Sequence, residues 1–285
     1  MELQHILNLI RGALIGAAEL SPGISGGTVA LIIGIYERAL HNADKIVKRK
    51  FAQVEWLFIA FIGLGMVAAV FGLSGIISTF VAENFSLSHS LFAGMVLISV
   101  WVPFSMIDKQ DRRNPKYYLF ALASAVFIFI VTGFTSNQVE DPNLFFVFLA
   151  AAVAICALVM PGASGSLVLL MLGMYEPVLR AVSELDIAVI LVFMAGALCG
   201  VVFIVRFLNY MLENHRTPTL FVMTGFLLGS LRALWPFGED QDASLMPMIG
   251  MFVLGIAIVL AFLIADYRIA VKKTAQANQA AQAVK

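Results

Sequence analysis

The chain has 285 residues, 61% of them hydrophobic and 13% charged, with a mean hydropathy of +0.93, which excludes a soluble globular domain and reads as an all-α polytopic membrane protein. Eighteen Lys+Arg against eighteen Asp+Glu leave no global basic field, so nucleic acid is not expected as a partner. Cys156 and Cys199 fall inside long apolar runs, which excludes a disulfide framework and a zinc site.

A hydrocarbon core about 30 Å thick needs roughly 20 apolar residues per helical crossing. The first stretch, Leu3 to Leu20, carries Gln4, His5, Asn8 and Arg11 in its opening turns and needs protein around it. It has no basic head and no cleavage site, so it reads as mature protein rather than a signal peptide. Pro22 to Leu40 follows as a second irregular piece. Seven clear windows come next: Trp56 to Val81, Leu87 to Ile107, Tyr117 to Phe134, Asn143 to Met160, Ile187 to Leu212, Thr219 to Leu234 and Leu245 to Ala265. The tail, 271–285, is rich in Ala, Gln and Lys and is expected to be solvated. His5, His41, His89 and His215 sit near predicted membrane edges without metal-ligand spacing, and Trp56, Trp101 and Trp235 read as interfacial anchors.

Loop charge sets the expected orientation, because short loops rich in Lys and Arg stay cytoplasmic. Lys45, Lys48, Arg49 and Lys50 share one loop, Lys109, Arg112, Arg113 and Lys116 another, and Arg268, Lys272 and Lys273 follow the last span. The intervening loops carry Glu83, Glu140, Asp141, Glu184, Asp186, Glu239, Asp240 and Asp242 and are placed outside. Alternation holds if 3–20 with 22–40, and 143–160 with 161–181, each return the chain to its starting side. Two full crossings and one re-entrant hairpin both satisfy that condition.

The sequence repeats itself. Pro22-Gly23-Ile24-Ser25-Gly26-Gly27-Thr28 through Gly34-Ile35-Tyr36-Glu37 aligns without gaps on Pro161-Gly162-Ala163-Ser164-Gly165-Ser166-Leu167 through Gly173-Met174-Tyr175-Glu176, nine of sixteen positions being identical. Composition alone would give roughly one or two matches. The expected units are 1–136 and 137–270. Each contributes a broken or re-entrant hairpin plus three transmembrane helices, so the second enters the membrane from the opposite face. Inverted-topology repeats with interrupted helices are the architecture of secondary transporters, with the substrate where the breaks meet.

Pro-Gly followed by Ser-Gly reads as a helix broken and restarted, with its first N–H groups exposed. Glycine permits close approach of a ligand to backbone, and Ser21, Ser25, Thr28, Ser164 and Ser166 bring hydroxyl donors. With Gly26, Gly27 and Gly165 they form a candidate cradle for anionic oxygens. Arg11, Arg206 and Arg232 lie in apolar segments, where a charge at the bilayer centre costs roughly 2.5–3.5 kcal/mol, so each needs a partner, water or substrate. Arg11 and Arg206 are compatible either with snorkelling or with an anion; Arg232, before Trp235-Pro236, favours an anion. Glu37 and Glu176 read equally as interfacial anchors and as proton or cation coupling groups, and Glu19, replaced by Leu158 in the second copy, could couple only asymmetrically.

Glu19-Leu20-Ser21-Pro22-Gly23-Ile24-Ser25-Gly26-Gly27-Thr28, Gly34-Ile35-Tyr36-Glu37-Arg38, Met160-Pro161-Gly162-Ala163-Ser164-Gly165-Ser166 and Gly173-Met174-Tyr175-Glu176-Pro177 resemble the bacterial polyprenyl-phosphate transporter family, as does Gly229-Ser230-Leu231-Arg232. The resemblance covers nearly the whole chain. It implies a translocase of the bacterial cytoplasmic membrane, not an enzyme, that returns undecaprenyl phosphate from the outer to the inner leaflet. It also implies paired re-entrant helices facing each other. No cofactor is expected; the partners are the polyprenyl-phosphate lipid, the surrounding membrane lipids and a coupling ion, H+ or Na+. A carrier of a small soluble anion is the competing reading. A lipid-phosphate phosphatase would need a Lys/Arg/His constellation that the sequence lacks.

Overall fold

The computed structural model describes residues 3–20, 25–133, 139, 142–237 and 241–283. The described residues build thirteen α-helices and no strand. The first half of the chain supplies α1 (Leu3–Glu19), α2 (Gly26–Ile32), α3 (Tyr36–Val47), α4 (Trp56–Glu83), α5 (Phe85–Ser99), α6 (Trp101–Ser105) and α7 (Pro115–Val131). The second supplies α8 (Leu144–Val159), α9 (Gly165–Met171), α10 (Tyr175–Ser183), α11 (Ile187–Asn214), α12 (Arg216–Ser230) and α13 (Leu245–Ala283).

Among the described residues five segments are long and apolar enough to cross a bilayer, Trp56–Leu73, Phe85–Ser105, Ile187–Asn214, Arg216–Leu234 and Leu245–Ile264, with the bent pair Gly165–Met171 and Tyr175–Ser183 as a sixth if it is counted as one span. The chain is a multi-pass membrane protein. Two of the seven expected windows come out short, α7 with 17 residues and α8 with 16. At about 1.5 Å per residue they reach roughly 24–26 Å, less than the hydrocarbon thickness. α8 stops where it does because Pro161 follows: Met160 is pushed to φ −80, ψ 129, the extended backbone that a following proline imposes.

Element lengths recur between the halves. α2 and α9 have 7 residues each, α4 and α11 have 28, and α5 and α12 have 15. The joint between α4 and α5 is the single residue Asn84 (φ −135, ψ 64), and that between α11 and α12 is His215 (φ −134, ψ 47). Packing recurs as well: α1 lies along α4 as α8 lies along α11, and α5 lies along α13 as α12 lies along α7.

Glycine makes these pairings close. A Cβ at Gly12 or Gly16 would collide with the backbone of Ile62 or Met66, one at Gly196 or Gly200 with Phe148 or Ala152, and one at Gly225 or Gly229 with Ala121 or Ala125. Gly94 and Gly255 do the same for α5 on α13, against Phe252 and Leu91. In lipid no hydrophobic force drives apolar helices together, so such small-residue faces, which let backbones touch, supply the packing.

The irregular piece Pro22 to Leu40 is two helices, not one. Gly34 takes φ 70, its N–H donates to Leu31 O at 3.1 Å, and Ile35 N–H donates to Ala30 O at 2.9 Å. This is the Schellman termination of a helix on a left-handed glycine. Gly173 (φ 66) repeats it, with bonds to Leu170 O at 3.1 Å and from Met174 N to Leu169 O at 2.8 Å. Beyond that break α10 turns 105° from α9.

The surroundings of the two short helices differ. α2 is enclosed by α1, α3, α5, α6, α8 and α13, and Thr28 through Ile33 are all buried. α9 packs chiefly on α8, and Ser166 and Leu170 are exposed.

Candidate functional site

The first Ser-Gly motif is built on the start of α2. Ser25, with extended backbone (φ −101, ψ 133), caps the helix, its Oγ accepting from Gly27 N–H at 3.1 Å. The same hydroxyl donates to Leu158 O at 3.1 Å. The second motif therefore meets the first directly. Three side chains of the α2–α3 segment engage it: Ser25, Tyr36, whose phenol donates to Val159 O at 3.1 Å, and Thr28, whose Oγ1 accepts from Gly162 N–H at 2.9 Å.

Physical need explains this arrangement. The last carbonyls of a helix have no partner inside it, and a buried carbonyl must find one. α8 ends on Leu158 and Val159, and the hydroxyls of Ser25 and Tyr36 supply the missing donors. Gly162, at φ 83, lies with its Cα against the backbone of Phe226 and Leu227 in α12, where a side chain would not fit. Gly27 is similarly confined, since a Cβ there would stand 2.9 Å from Val159 O.

A carboxyl group already sits at the first motif. The Glu19 carboxylate accepts from Gly26 N–H at 2.8 Å, filling with a side chain the place expected for substrate oxygen. In the second motif the residue equivalent to Glu19 is Leu158, whose Cβ packs toward Gly165. Ser164 makes no capping bond; its hydroxyl and that of Ser166 share a 2.9 Å hydrogen bond, with Ser164 buried and Ser166 exposed.

Thus Glu19, Ser25, Gly26, Gly27, Thr28, Ser164, Gly165 and Ser166 belong to the two adjoining motifs, while Ser21 lies outside the described residues. The arginines are placed elsewhere. Arg206 lies on the exposed face of α11 in a shallow depression with Val202, Phe203, Phe207 and Tyr210. Arg232 donates to Phe129 O at 2.7 Å and lies 4.6 Å over the Phe129 ring, at the carbonyl end of α7 where a cation is favoured. Arg11 is half-buried on α1. Glu37 pairs with Arg216 at 2.8 Å, whereas Glu176 is exposed at the start of α10.

Sequence reasoning missed the polar bracing of α3. Arg38 forms an ion pair with Glu55 and lies 4.2 Å over the Phe58 ring. Asn42 donates to Glu55 Oε1 at 3.0 Å and accepts from Glu55 N–H at 2.8 Å. The hydrogen bonds from Arg38 and then Asn42 hold the Glu55 carboxyl down at about 2. On another side buried Asn209 of α11 donates to Glu213 at 2.9 Å and to buried Asp44 at 3.4 Å, and Asp44 pairs with Lys48 at 2.6 Å. The signal was local: Asn42 and Asp44 are polar residues facing inward on an amphipathic helix.

Residues 15–251 match the model of the undecaprenyl phosphate translocase-like family. A polyprenyl-phosphate transporter of Vibrio cholerae is 31% identical over 249 residues, 83% of this chain and 80% of the relative. A polyprenyl-phosphate transporter of Staphylococcus aureus is 25% identical over 244 residues, 81% of this chain and 86% of that relative. No solved structure matches the chain. Its family and relatives are transporters rather than enzymes. A family model spanning both Ser-Gly motifs, from α1 into α13, assigns this chain to the undecaprenyl phosphate translocase-like family.

Proposed function

We propose that the protein is a translocase of undecaprenyl (polyprenyl) phosphate in the bacterial cytoplasmic membrane, moving it from the outer to the inner leaflet by alternating access. The observation that carries this reading is the contact between the two helix breaks, Ser25 to Leu158 at 3.1 Å and Thr28 to Gly162 at 2.9 Å. Backbone that is not helical survives in a membrane only inside protein or beside water, so two adjoining breaks mark the substrate position. Recurring lengths and pairings support two inverted repeats, and the basic loops support a cytoplasmic carboxyl terminus.

In this mechanism the phosphate is held by Ser25, Thr28, Ser164 and Ser166 with the N–H groups of Gly26, Gly27 and Gly165, and Ser21 is a further candidate donor. Glu19 competes for the same N–H. Substrate binding at Gly26 then requires the carboxylate to leave, and protonation, by removing its charge, favours departure. This links the cycle to a proton; Glu37 and Glu176 are the other candidate coupling groups, and a sodium ion could replace the proton at any of them. Arg11 lies on α1 with Glu19, while Arg206 and Arg232 reach phosphate only through a change of conformation or at the membrane surface.

Leaflet exchange of labelled undecaprenyl phosphate in proteoliposomes tests the reading. Wild type accelerates exchange, and Ser25→Leu with Ser164→Leu abolishes it while the protein remains folded. Unimpaired exchange by the double variant would remove the motifs from the substrate path. A rate that responds to an imposed pH gradient in wild type, but not in Glu19→Gln, would assign the coupling to Glu19.

A further inference from the structure

Beside the first motif lies an apolar groove of about 270 Å³, bounded by α1, α2, α4, α5 and α13. Its wall includes Ala17, Ala18, Val29, Met95, Ile258 and Phe262. Protein interiors are close-packed, with few voids larger than a water molecule, so a groove of this size between packed helices is a place for a ligand. Two of its lining residues are chain neighbours of the motif's polar groups: Ala18 precedes Glu19, which accepts from Gly26 N–H, and Val29 follows Thr28, which accepts from Gly162 N–H. The wall preceding Glu19 is narrow in side chain, with two alanines, and the rest is lined by branched aliphatic and aromatic groups.

We infer that this groove holds the first isoprene units of the substrate while its phosphate occupies the motif, an inference that rests on the translocase reading above. A lipid with a charged head and a long branched tail must place the two in different surroundings, and the tail's first carbons must leave the head within a few ångströms of it. The groove offers apolar wall, at Ala18 and Val29, one residue along the chain from Glu19 and Thr28 of the polar site. Branched side chains suit the methyl-bearing, unsaturated chain, and the two alanines leave room for it beside the head. The groove's wall comes from α1, α2, α4 and α5 together with α13 of the second half, so both halves would contact the tail as both motifs hold the head.

Photolabelling tests this without any variant. A short isoprenyl monophosphate carrying a diazirine on its second isoprene unit is irradiated with the full-length protein in vesicles of phosphatidylethanolamine and phosphatidylglycerol. Labels on Met95, Ile258 or Phe262, competed at least tenfold by unlabelled undecaprenyl phosphate, would support the inference. Labels confined to outward residues such as Phe71 and Leu119, or groove labels competed equally by added phosphatidylglycerol, would overturn it. Ala17→Phe, on α1, and Ile258→Trp, on α13, each fill the groove and should lower exchange at least tenfold. Wild-type exchange rates in both folded variants would also overturn it. Failure of the translocase reading looks different: wild type would show no exchange, yet the groove would still take the isoprenyl label.

Discussion

α2 and α9 are both seven residues long, both follow a Ser-Gly pair and both end on a left-handed glycine, yet they live in different surroundings. α2 is sealed in the core, and α3 beyond it is tied to Glu55, to Asn209 of α11 and to Arg216 of α12. α9 lies nearer the surface, and α10 exposes Glu176, Arg180, Leu179 and Val182. Tyr36 is 5% exposed and hydrogen-bonded to Val159, while its counterpart Tyr175 is 37% exposed. Near-identical motifs thus give one braced hairpin and one lightly held hairpin.

The comparison can be broken most forcefully at Gly162. Gly162→Ala forces a left-handed residue and pushes a Cβ to 2.7 Å from Leu227 N. The loss should exceed about 2 kcal/mol, the sum of left-handed strain and backbone collision, read as a lower denaturation midpoint in detergent. A change below about 0.5 kcal/mol would show that Thr28 does not hold the second break in this seat.

Tyr36→Phe against Tyr175→Phe sharpens the contrast. Removing the phenol of Tyr36 strands Val159 O and should cost about 1–2 kcal/mol, whereas the exposed Tyr175 should stay within about 0.5 kcal/mol. Equal losses would mean that the hairpins are equally held.

The smallest effect is pH-dependent. Glu55 is held at about 2 against an ordinary 4.5, so its contribution is complete above about 4.5 and is lost as pH falls through 2. Its side chain is 43% exposed, so solvent screens the pair and the loss stays within about 0–1 kcal/mol. Amide exchange at the start of α4 should quicken over that window in wild type and not in Glu55→Gln.

Much of this was legible from residues alone. Windows of apolar sequence located α4, α5 with α6, α11, α12 and α13, because membrane helices must bond internally and their composition announces them. The internal match of Pro22–Glu37 with Pro161–Glu176 pointed to two helix breaks, and the structure brings those motifs together. The second breaks, at Gly34 and Gly173, were present in the same alignment as repeated glycines before Tyr-Glu, but the apolar run leading into each glycine read as one helix carried through to the glutamate. Other features depend on tertiary placement. No pattern shows that Arg232 turns to Phe129 O, that Glu19 reaches seven residues ahead to Gly26 N–H, or that Asn209 faces Asp44. Sequence singled out Arg232 by its place before Trp235-Pro236, whereas geometry separates the arginines by what each side chain lies against.

Two of the glycine-faced pairings bind early helices to late ones. α1 with α4, and α8 with α11, stay within one half, but α5 pairs with α13 and α7 with α12, crossing between halves. Severed near residue 136, the first half would keep α5 and α7 while losing the helices that cover them, and Gly94 would face nothing. Cut between α7 and α8, the two pieces would still have α5 to lay on α13 and α7 to lay on α12, so the glycine faces that join early helices to late ones would serve as an interface between fragments.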